Sequence, residues 1–298
     1  MNIHALSSRR RWTDIHGLLF VLPSVLLMII LLYGPAIAGF YQSLYRISGP
    51  NRGSFVGLDV YATVMNEPGF GNIVMVSAIF VVGSVICTVA LAMLIALYIN
   101  GLDETTARFL QIGVIIPWAI SAVVGALLFR WFYMSDLGVF RELLRRLGFG
   151  MTDPMASQVG AMTILIASAA WKKLGFAVIL LLSGLKAIPR DYYEAARVDG
   201  ARPFQTFREI TLPLLWGPIL ICSVVLGIAD LNTVELPLIV TGGGPLDATT
   251  TVALSIYQKA FSQYDLQRAV TLAIITFVVN IVLVSLYVRA VRGGRNER

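Results

Sequence analysis

Six long runs of apolar residues dominate this sequence and constrain its fold more than any other feature. The runs cover residues 17–40, 71–99, 109–131, 159–185, 213–235 and 269–291. Each run is long enough to cross a bilayer as a helix, which takes about 20 largely apolar residues. Charged side chains make up only 13% of the chain, whereas a soluble domain carries about 25%. The sequence therefore predicts an all-α polytopic membrane protein with six transmembrane helices.

The segment before the first run, residues 1–16, contains the basic cluster Arg9, Arg10 and Arg11. A cleaved signal peptide would also begin this way, but its apolar region spans only about 7–15 residues. The first run is longer, so we favour an uncleaved helix. Lysine and arginine are more frequent in the segments on the N-terminal side of the membrane, which predicts that both termini are cytoplasmic. Residues 137–147 have apolar side chains at helical spacing and predict an amphipathic surface helix.

The sequence offers little material for catalysis or metal binding. Its two histidines, His4 and His16, precede the first run, and its two cysteines, Cys87 and Cys222, lie inside apolar runs. No metal-ligand cluster and no Ser/His/Asp arrangement can be assembled from these residues. The sequence contains no P-loop motif, and its net charge of +6 does not resemble a nucleic-acid footprint. We therefore expect no enzyme, no metal site and no nucleic-acid partner.

The loop between the fourth and fifth runs is predicted to contain two short helices joined by a glycine. Pro189 disfavours helix at the preceding residue and so ends the fourth run. Asp191 is a candidate N-cap, and Glu194 three residues later completes the form of a capping box. Gly200 can adopt the left-handed conformation that closes a helix, and Pro203 suits the first turn of the next one. Such a loop is also compatible with a purely structural role.

The same loop, residues 188–213, resembles the EAA loop of binding-protein-dependent ABC importer permeases. The matching residues are Glu194, Ala195, Ala196, Asp199, Gly200, Ala201, Phe207, Ile210, Leu212 and Pro213. Residues 57–61, 128–131, 241–251 and 257–261 resemble segments of the carbohydrate branch of this family. By resemblance, the chain is identified as the inner-membrane permease subunit of a sugar importer.

The resemblance implies the type I ABC importer permease fold of six transmembrane helices, with a cytoplasmic coupling helix that docks on a separate ATPase subunit. The residues implied in this coupling are Asp191, Glu194, Ala195, Ala196, Asp199, Gly200, Ala201, Leu212 and Pro213. Glu194 would anchor the helix, the two alanines would allow close packing, and Gly200 would set the turn angle. Movement of this helix would switch the bundle between outward-facing and inward-facing states.

The resemblance also implies partners. Six helices enclose half of a translocation path in this architecture, so we expect a second permease subunit, which in the sugar branch is a distinct homologous chain. Two ATP-binding subunits would carry ATP and Mg²⁺, and this chain would bind no cofactor. An extracytoplasmic solute-binding protein would deliver the sugar or sugar derivative. We expect the complex in the cytoplasmic (inner) membrane, in contact with lipid.

Charged residues at membrane depth are the second functional signal. Lys172 and Lys173 lie within the fourth run, and Asp230 and Glu235 lie within the fifth. Ionisable residues inside a span are costly and usually face a cavity or a partner. Two interpretations stay open: these residues contact substrate, or one of the lysines forms an internal salt bridge with Asp230.

The full set predicted for the substrate pathway is Trp171, Lys172, Lys173, Asp230, Asn232 and Glu235. Trp171 can stack on a sugar ring or simply pack in the bundle. Asn280 in the last run is expected to form an interhelical hydrogen bond. A charged pocket would also suit an anionic substrate, such as a phosphorylated or sulfonated sugar derivative.

Other classes of protein explain less of the sequence. The main alternative is a permease of the same superfamily for a polyamine, a peptide or another small polar solute, and the glycine-rich segment 241–245 argues against it. An intramembrane enzyme would have only the lysines and Asp230 as catalytic groups. A channel or a structural membrane subunit would leave the loop at 188–213 unexplained.

Overall fold

The computed structural model describes residues 20–48, 51–133, 138–139, 146 and 153–296. The helices are α1 (Phe20–Ser43), α2 (Asp59–Met65), α3 (Phe70–Asn100), α4 (Glu104–Ala119), α5 (Ala122–Tyr133), α6 (Gln158–Lys186), α7 (Arg190–Val198), α8 (Pro203–Thr206), α9 (Leu212–Leu231), α10 (Val252–Tyr257) and α11 (Leu266–Asn296). The strands β1 (Tyr45–Ser48) and β2 (Asn51–Phe55) form an antiparallel hairpin. The predicted N-terminal segment 1–16 and nearly all of the predicted surface helix 137–147 lie outside the described residues.

Four of the described helices are long and apolar enough to span a membrane by themselves: α1, α3, α6 and the Leu266–Arg289 part of α11. Two bent pairs bring the number of spans to as many as six. α4 and α5 meet at 93°, and the helical segments Pro203–Leu214 and Trp216–Leu231 meet at 63°. The prediction of an all-α polytopic membrane protein is confirmed, with the short hairpin as an addition.

The predicted span 109–131 consists of two helices. α4 ends at Ala119, Ile120 is extended (φ −67°, ψ 146°), and α5 begins at Ala122. Pro117 lies in the last turn of α4, where its missing N–H and its ring weaken the continuation of a helix. Both halves are apolar, and for this reason the hydropathy of the sequence does not reveal the break.

α3 and α6 form the centre of the bundle, and α9 packs against both. Their contact surfaces are rich in alanine, including the buried Ala92, Ala96 and Ala177. Small residues let helix backbones approach closely, which favours helix association in a bilayer. A Cβ atom added at Gly175 of α6 would lie 2.6 Å from the carbonyl oxygen of Val114 in α4. The helices around α6 are therefore in backbone contact.

The loops divide between the two ends of α6. The hairpin, α2, α10 and the start of α11 gather at the end where α6 begins, which we call the hairpin end. There, Gln267 of α11 donates to the carbonyl of Tyr45 (2.9 Å), and the Val252 N–H donates to Ser77 Oγ (2.7 Å). α7 and α8 follow Lys186 at the other end, which we call the α7 end. The bundle thus keeps its two sets of loops well apart.

α1 is apolar and exposed along nearly its whole length. None of the residues in its most apolar 18-residue window is buried, and large side chains such as Phe20, Leu31 and Ile37 are more than half exposed. It packs against α11, where a Cβ at Gly39 would lie 3.9 Å from Val270. A helix that is hydrophobic all round needs lipid or another protein around it.

Candidate functional site

The predicted coupling helix is present as α7, which runs from Arg190 to Val198. Its N-cap is Pro189 (φ −58°, ψ 138°), and no side chain caps it. Asp191 lies in the first turn instead, so the predicted capping box of Asp191 with Glu194 is wrong. The extended ψ of Pro189 lets the helix begin at Arg190, one residue before Asp191. In the first turn, the Asp191 carboxylate interacts favourably with the positive end of the helix dipole.

α7 closes with a Schellman motif centred on Gly200. The Gly200 N–H donates to the Arg197 carbonyl (3.1 Å), and the Ala201 N–H donates to the Ala196 carbonyl (2.9 Å). Gly200 has the left-handed conformation expected from the sequence, with φ at +74°. A Cβ atom there would meet no atom within 4 Å. The glycine is therefore required by the backbone conformation and not by lack of space.

One face of α7 is attached to the bundle. Ala196 is buried, and the Tyr193 hydroxyl lies 3.2 Å from the Thr211 hydroxyl at the end of the π-helical turn Phe207–Thr211. Ala196 thus packs within this chain, while its neighbour Ala195 is exposed. Sequence reasoning missed Tyr193 and Thr211, because their hydrogen bond joins two helices and leaves no local pattern.

The other face of α7 is open. The predicted coupling residues that are exposed are Asp191, Glu194, Ala195, Asp199, Gly200 and Pro213, while Ala201 and Leu212 are half-buried. Apolar side chains are exposed in α7 and α8 as well: Tyr192 is 52% exposed, Val198 is 87% exposed and Phe204 is 71% exposed. Exposed apolar side chains grouped among polar ones are typical of a protein–protein contact. The sequence had not singled out these three residues.

Two of the predicted pathway residues meet inside the bundle. Lys173 of α6 forms an ion pair with Asp230 Oδ1 of α9, and Ser84 Oγ of α3 donates to Asp230 Oδ2 at 2.6 Å. Asp230 is only 1% exposed. Both carboxylate oxygens are engaged, and this offsets part of the cost of burying the two charges. We call Ser84, Lys173 and Asp230 the charge cluster. Of the two interpretations that the sequence allowed, the structure contains the internal salt bridge, and Lys173 is the lysine that pairs with Asp230.

Lys172 takes a different direction from its neighbour. Its Nζ donates to the carbonyls of Pro117 (3.1 Å) and Trp118 (2.8 Å) in the last turn of α4. The last carbonyls of a helix have no partner within the helix, and they form the negative end of its dipole. Lys172 therefore stabilises the break between α4 and α5.

Trp171 packs between α5 and α6. Its ring centroid lies 5.3 Å from that of Phe129, with the rings tilted by 56°. A Cβ atom added at Gly125 of α5 would lie 3.4 Å from the indole ring. These contacts give Trp171 a packing role, as a half-buried tryptophan in a helix interface commonly has.

Asn232 and Glu235 lie where the chain leaves α9. Asn232 exchanges two amide hydrogen bonds of 3.3 Å with Asn280 of α11, as predicted for Asn280. Glu235 accepts from the Val234 N–H (3.2 Å) and from the Thr233 hydroxyl (3.3 Å). Asn232 is thus tied to α11, and Glu235 is bonded to the chain just before it while its charge still attracts that of Lys173.

A second group of charged residues lies at the hairpin end. Glu67 pairs with Lys259 (3.0 Å) and with Arg268 (2.6 Å), and Arg268 also pairs with Asp265 (3.1 Å). Their side chains are between 12% and 46% exposed. We call these four residues the outer network. Sequence reasoning missed it, because Glu67 and its partners are far apart along the chain and no motif contains them.

An open cavity of about 740 Å³ lies beside the outer network. Its lining includes Arg46, Thr63, Tyr264, Gln267 and Arg268. Within the described ranges of the chain, no group of three or more His, Cys, Asp or Glu side chains can hold a metal ion. Polar side chains and the apolar Val60, Val64 and Leu266 all line this cavity, so it is suited to contacts with a protein or a polar solute.

An apolar helical bundle with a helix exposed at one end fits a membrane transport component, and the comparison with known families identifies which one. The family described as binding-protein-dependent transport system inner membrane component matches residues 78–294. The chain belongs to this family. It is a multi-pass inner-membrane permease component of a binding-protein-dependent ABC importer, and it is not an enzyme.

Three relatives are similar to the chain over nearly its whole length. The sulfoquinovosyl glycerol transport system permease protein SmoG of Agrobacterium fabrum is 31% identical, and the match covers 95% of this chain and 93% of the relative. The trehalose/maltose transport system permease protein MalF of Thermococcus litoralis is 32% identical, with 94% and 95% covered. The sn-glycerol-3-phosphate transport system permease protein UgpA of Agrobacterium fabrum is 31% identical, with 92% and 93% covered.

A solved structure has the same fold. It is that of a bacterial alginate ABC transporter in complex with an alginate pentasaccharide-bound periplasmic protein. The TM-score is 0.79 at 25% sequence identity, and the match covers 93% of this chain and 96% of that chain. The resemblance to type I importer permeases, stated from the sequence, is thereby confirmed.

Proposed function

We propose that this chain is the permease subunit of an ATP-driven importer that moves a sugar or sugar derivative across the cytoplasmic membrane. The observation that carries the proposal is the form of α7. Ala196 and Tyr193 attach one face of α7 to the bundle, and the opposite face exposes Glu194 and Val198. Such a helix fits docking on a separate ATPase subunit.

Movement of α7 would reach the membrane through two direct connections. α6 ends at Lys186, just before α7, and α9 follows it through the short α8 and a π-helical turn. Closure of the ATPase subunits would displace α7 and carry both helices with it. Hinge and shear motions of this kind switch a bundle between two states, here an outward-facing and an inward-facing one.

The sugar class is supported by the relatives. Their names give sulfoquinovosyl glycerol, trehalose/maltose and sn-glycerol-3-phosphate as transported solutes, and the related structure is of an alginate transporter. All of these solutes are rich in hydroxyl groups, and several carry a negative charge. A neutral sugar and an anionic derivative are therefore both included in the test below.

The complex is proposed to contain four further components. A second permease subunit, a distinct homologous chain as the family resemblance implies, would cover exposed apolar surface such as that of α1. Two ATP-binding subunits would carry ATP and Mg²⁺ at the α7 end. A solute-binding protein would dock at the hairpin end, where the cavity and the outer network lie.

Both termini are proposed to be cytoplasmic. α1 runs toward the hairpin end, and α11 runs from the hairpin end toward the α7 end. The chain therefore enters and leaves the bundle on the side of α7. Since ATP is hydrolysed in the cytoplasm, docking of α7 on an ATPase supports this orientation.

The test is uptake by cells that lack this chain and are complemented with the wild-type gene. Labelled solutes would include a neutral disaccharide, sn-glycerol-3-phosphate, a sulfonated sugar glycoside, a polyamine and a dipeptide. We expect the wild-type gene to restore ATP-dependent uptake of a sugar or sugar derivative. Restored uptake of only the polyamine or the dipeptide, or uptake that persists after ATP depletion, would contradict the proposal.

A further inference from the structure

α6 and α9 flank the proposed coupling helix, and they are joined both by apolar packing and, further from α7, by an ion pair. Near the α7 end the contact is apolar: a Cβ atom added at Gly184 of α6 would lie 2.9 Å from Leu215 and 2.9 Å from Pro218 of α9. The second contact is the ion pair of Lys173 with Asp230. At 1.5 Å per residue, Lys173 lies roughly 16 Å along α6 from Gly184.

Two contacts at different heights restrict the relative movement of two helices more than a single contact does. The apolar contact continues along α9 to Cys222 and Leu226, but apolar contacts are not directional, so by themselves they let the two helices slide past each other when α7 is displaced. The ion pair removes this freedom, because separation of the helices would leave a charge without a partner in an apolar surrounding. Ser84 connects α3 to this pair of helices, since its hydroxyl donates to the second oxygen of Asp230.

The charge cluster is closed within the chain. Asp230 is 1% exposed and Ser84 is fully buried, and the side chain of Lys173 is 14% exposed. Lys172, on the neighbouring position of the same helix, is bonded to α4. Asp230 therefore has both oxygens engaged by side chains of this chain and none directed to a solute.

We infer that Ser84, Lys173 and Asp230 are positioning residues that join α3, α6 and α9 into one rigid unit, so that displacement of α7 becomes displacement of the whole unit. This inference rests on the proposed function. It assigns the three residues to the coupling of ATP hydrolysis to transport and not to recognition of the solute. Removal of the ion pair leaves ATP hydrolysis possible and makes each hydrolysis event less productive.

The test uses the complete complex in proteoliposomes with its solute-binding protein. The measured quantities are the rate of ATP hydrolysis and the solute taken up per ATP. For Lys173→Met and for Asp230→Asn we expect uptake per ATP to fall by about fivefold or more, the lower end of typical coupling effects, with ATP hydrolysis retained. Ser84→Ala, which keeps the ion pair, should give a smaller fall.

Two further variants separate positioning from other roles. The double variant Lys173→Met with Asp230→Leu replaces the ion pair by an apolar contact and should recover most of the uptake per ATP. Glu104→Gln is the matched control: it makes the same kind of change, carboxylate to amide, in the exposed Glu104–Arg108 pair, and should leave uptake per ATP unchanged.

The inference is overturned if the single variants keep the wild-type uptake per ATP and lose only the amount of assembled complex. It is also overturned if the double variant recovers nothing and the single variants change which solutes are carried, because that pattern indicates contact with the solute. Failure of the proposed function looks different: the wild-type complex would then carry no sugar-type solute in the same assay.

Discussion

α7 and the charge cluster are both attached to α6, but they satisfy their side chains in opposite ways. α7 leaves polar and apolar side chains exposed, including Glu194 and Val198. The charge cluster is closed, with Asp230 1% exposed and bonded to Lys173 and Ser84. An exposed face is available to an external partner, whereas a closed cluster is not. Changes in α7 should therefore affect function without affecting the fold, whereas changes in the cluster should affect both.

The largest functional effect is expected at Gly200. Gly200→Val forces a β-branched residue into a φ of +74°, which only glycine adopts readily, and so disturbs the end of α7. Uptake should fall by more than about tenfold, since displaced catalytic or coupling elements cost on that order. The amount of chain in the membrane should stay normal, because the side chain at this position is exposed.

Gly113→Val is the control for this prediction. Gly113 lies within α4, and a Cβ atom there would meet nothing within 4 Å. The control should keep wild-type uptake. Equal loss of uptake in both variants, or wild-type uptake in Gly200→Val, would contradict the claim that uptake depends on the conformation at the end of α7.

The largest effect on stability is expected in the charge cluster. Lys173→Met leaves the buried Asp230 carboxylate without its cation, and breaking a buried pair in this way costs about 3–5 kcal/mol. The double variant with Asp230→Leu should recover most of this loss. The measurement is thermal unfolding of the purified chain in detergent. A double variant that is less stable than Lys173→Met would contradict the closed nature of the cluster.

A moderate effect is expected at the apolar contact of α6 with α9. Gly184→Leu would push against Leu215 and Pro218, and overpacking of this kind costs about 1–3 kcal/mol. Gly217→Leu is the control, since a Cβ atom at Gly217 of α9 meets nothing within 4 Å. Unfolding in detergent should separate the two variants, and equal stability would show that the helices do not meet as closely as described.

The smallest effect is expected in the outer network, which has the same charges but more solvent. Glu67→Gln weakens the pair with Arg268, whose side chain is 46% exposed, and an exposed pair contributes about 0–1 kcal/mol. The glutamine keeps an oxygen that can accept from Lys259, the less exposed partner. Salt screens exposed charges more than buried ones. The effect of Glu67→Gln should therefore shrink at high salt, while that of Lys173→Met should not. The same salt response in Glu67→Gln and Lys173→Met would contradict the claim that the outer network is more exposed to solvent than the charge cluster.

The sequence predicted features that depend on local chemistry, and it missed those that depend on how helices face each other. The apolar runs, the short helix α7 and the left-handed Gly200 follow from residues close together in the chain. The start of α7 differed because Pro189, and not Asp191, provides the N-cap.

Only the structure shows which of the two lysines pairs with Asp230. Adjacent residues on a helix point about 100° apart, so only one of Lys172 and Lys173 can face Asp230. Which one does is set by the rotation of α6, and this rotation depends on its packing against α3, α4 and α9. The same reason explains why the outer network and the Tyr193–Thr211 bond could not be read from the sequence.

The central claim is that α7 is the cytoplasmic surface on which the ATPase docks, and cysteine labelling tests it most directly. Val198→Cys and Leu246→Cys would be made with Cys87 and Cys222 replaced by alanine. Both native side chains are 87% exposed, Val198 in α7 and Leu246 in the glycine-rich loop at the hairpin end. A membrane-impermeant maleimide should label Val198→Cys only from the cytoplasm, and assembly with the ATPase subunits should protect it. Leu246→Cys should be labelled only from outside, with no such protection. Labelling of Val198→Cys from outside, or labelling that the ATPase subunits leave unchanged, would contradict the claim.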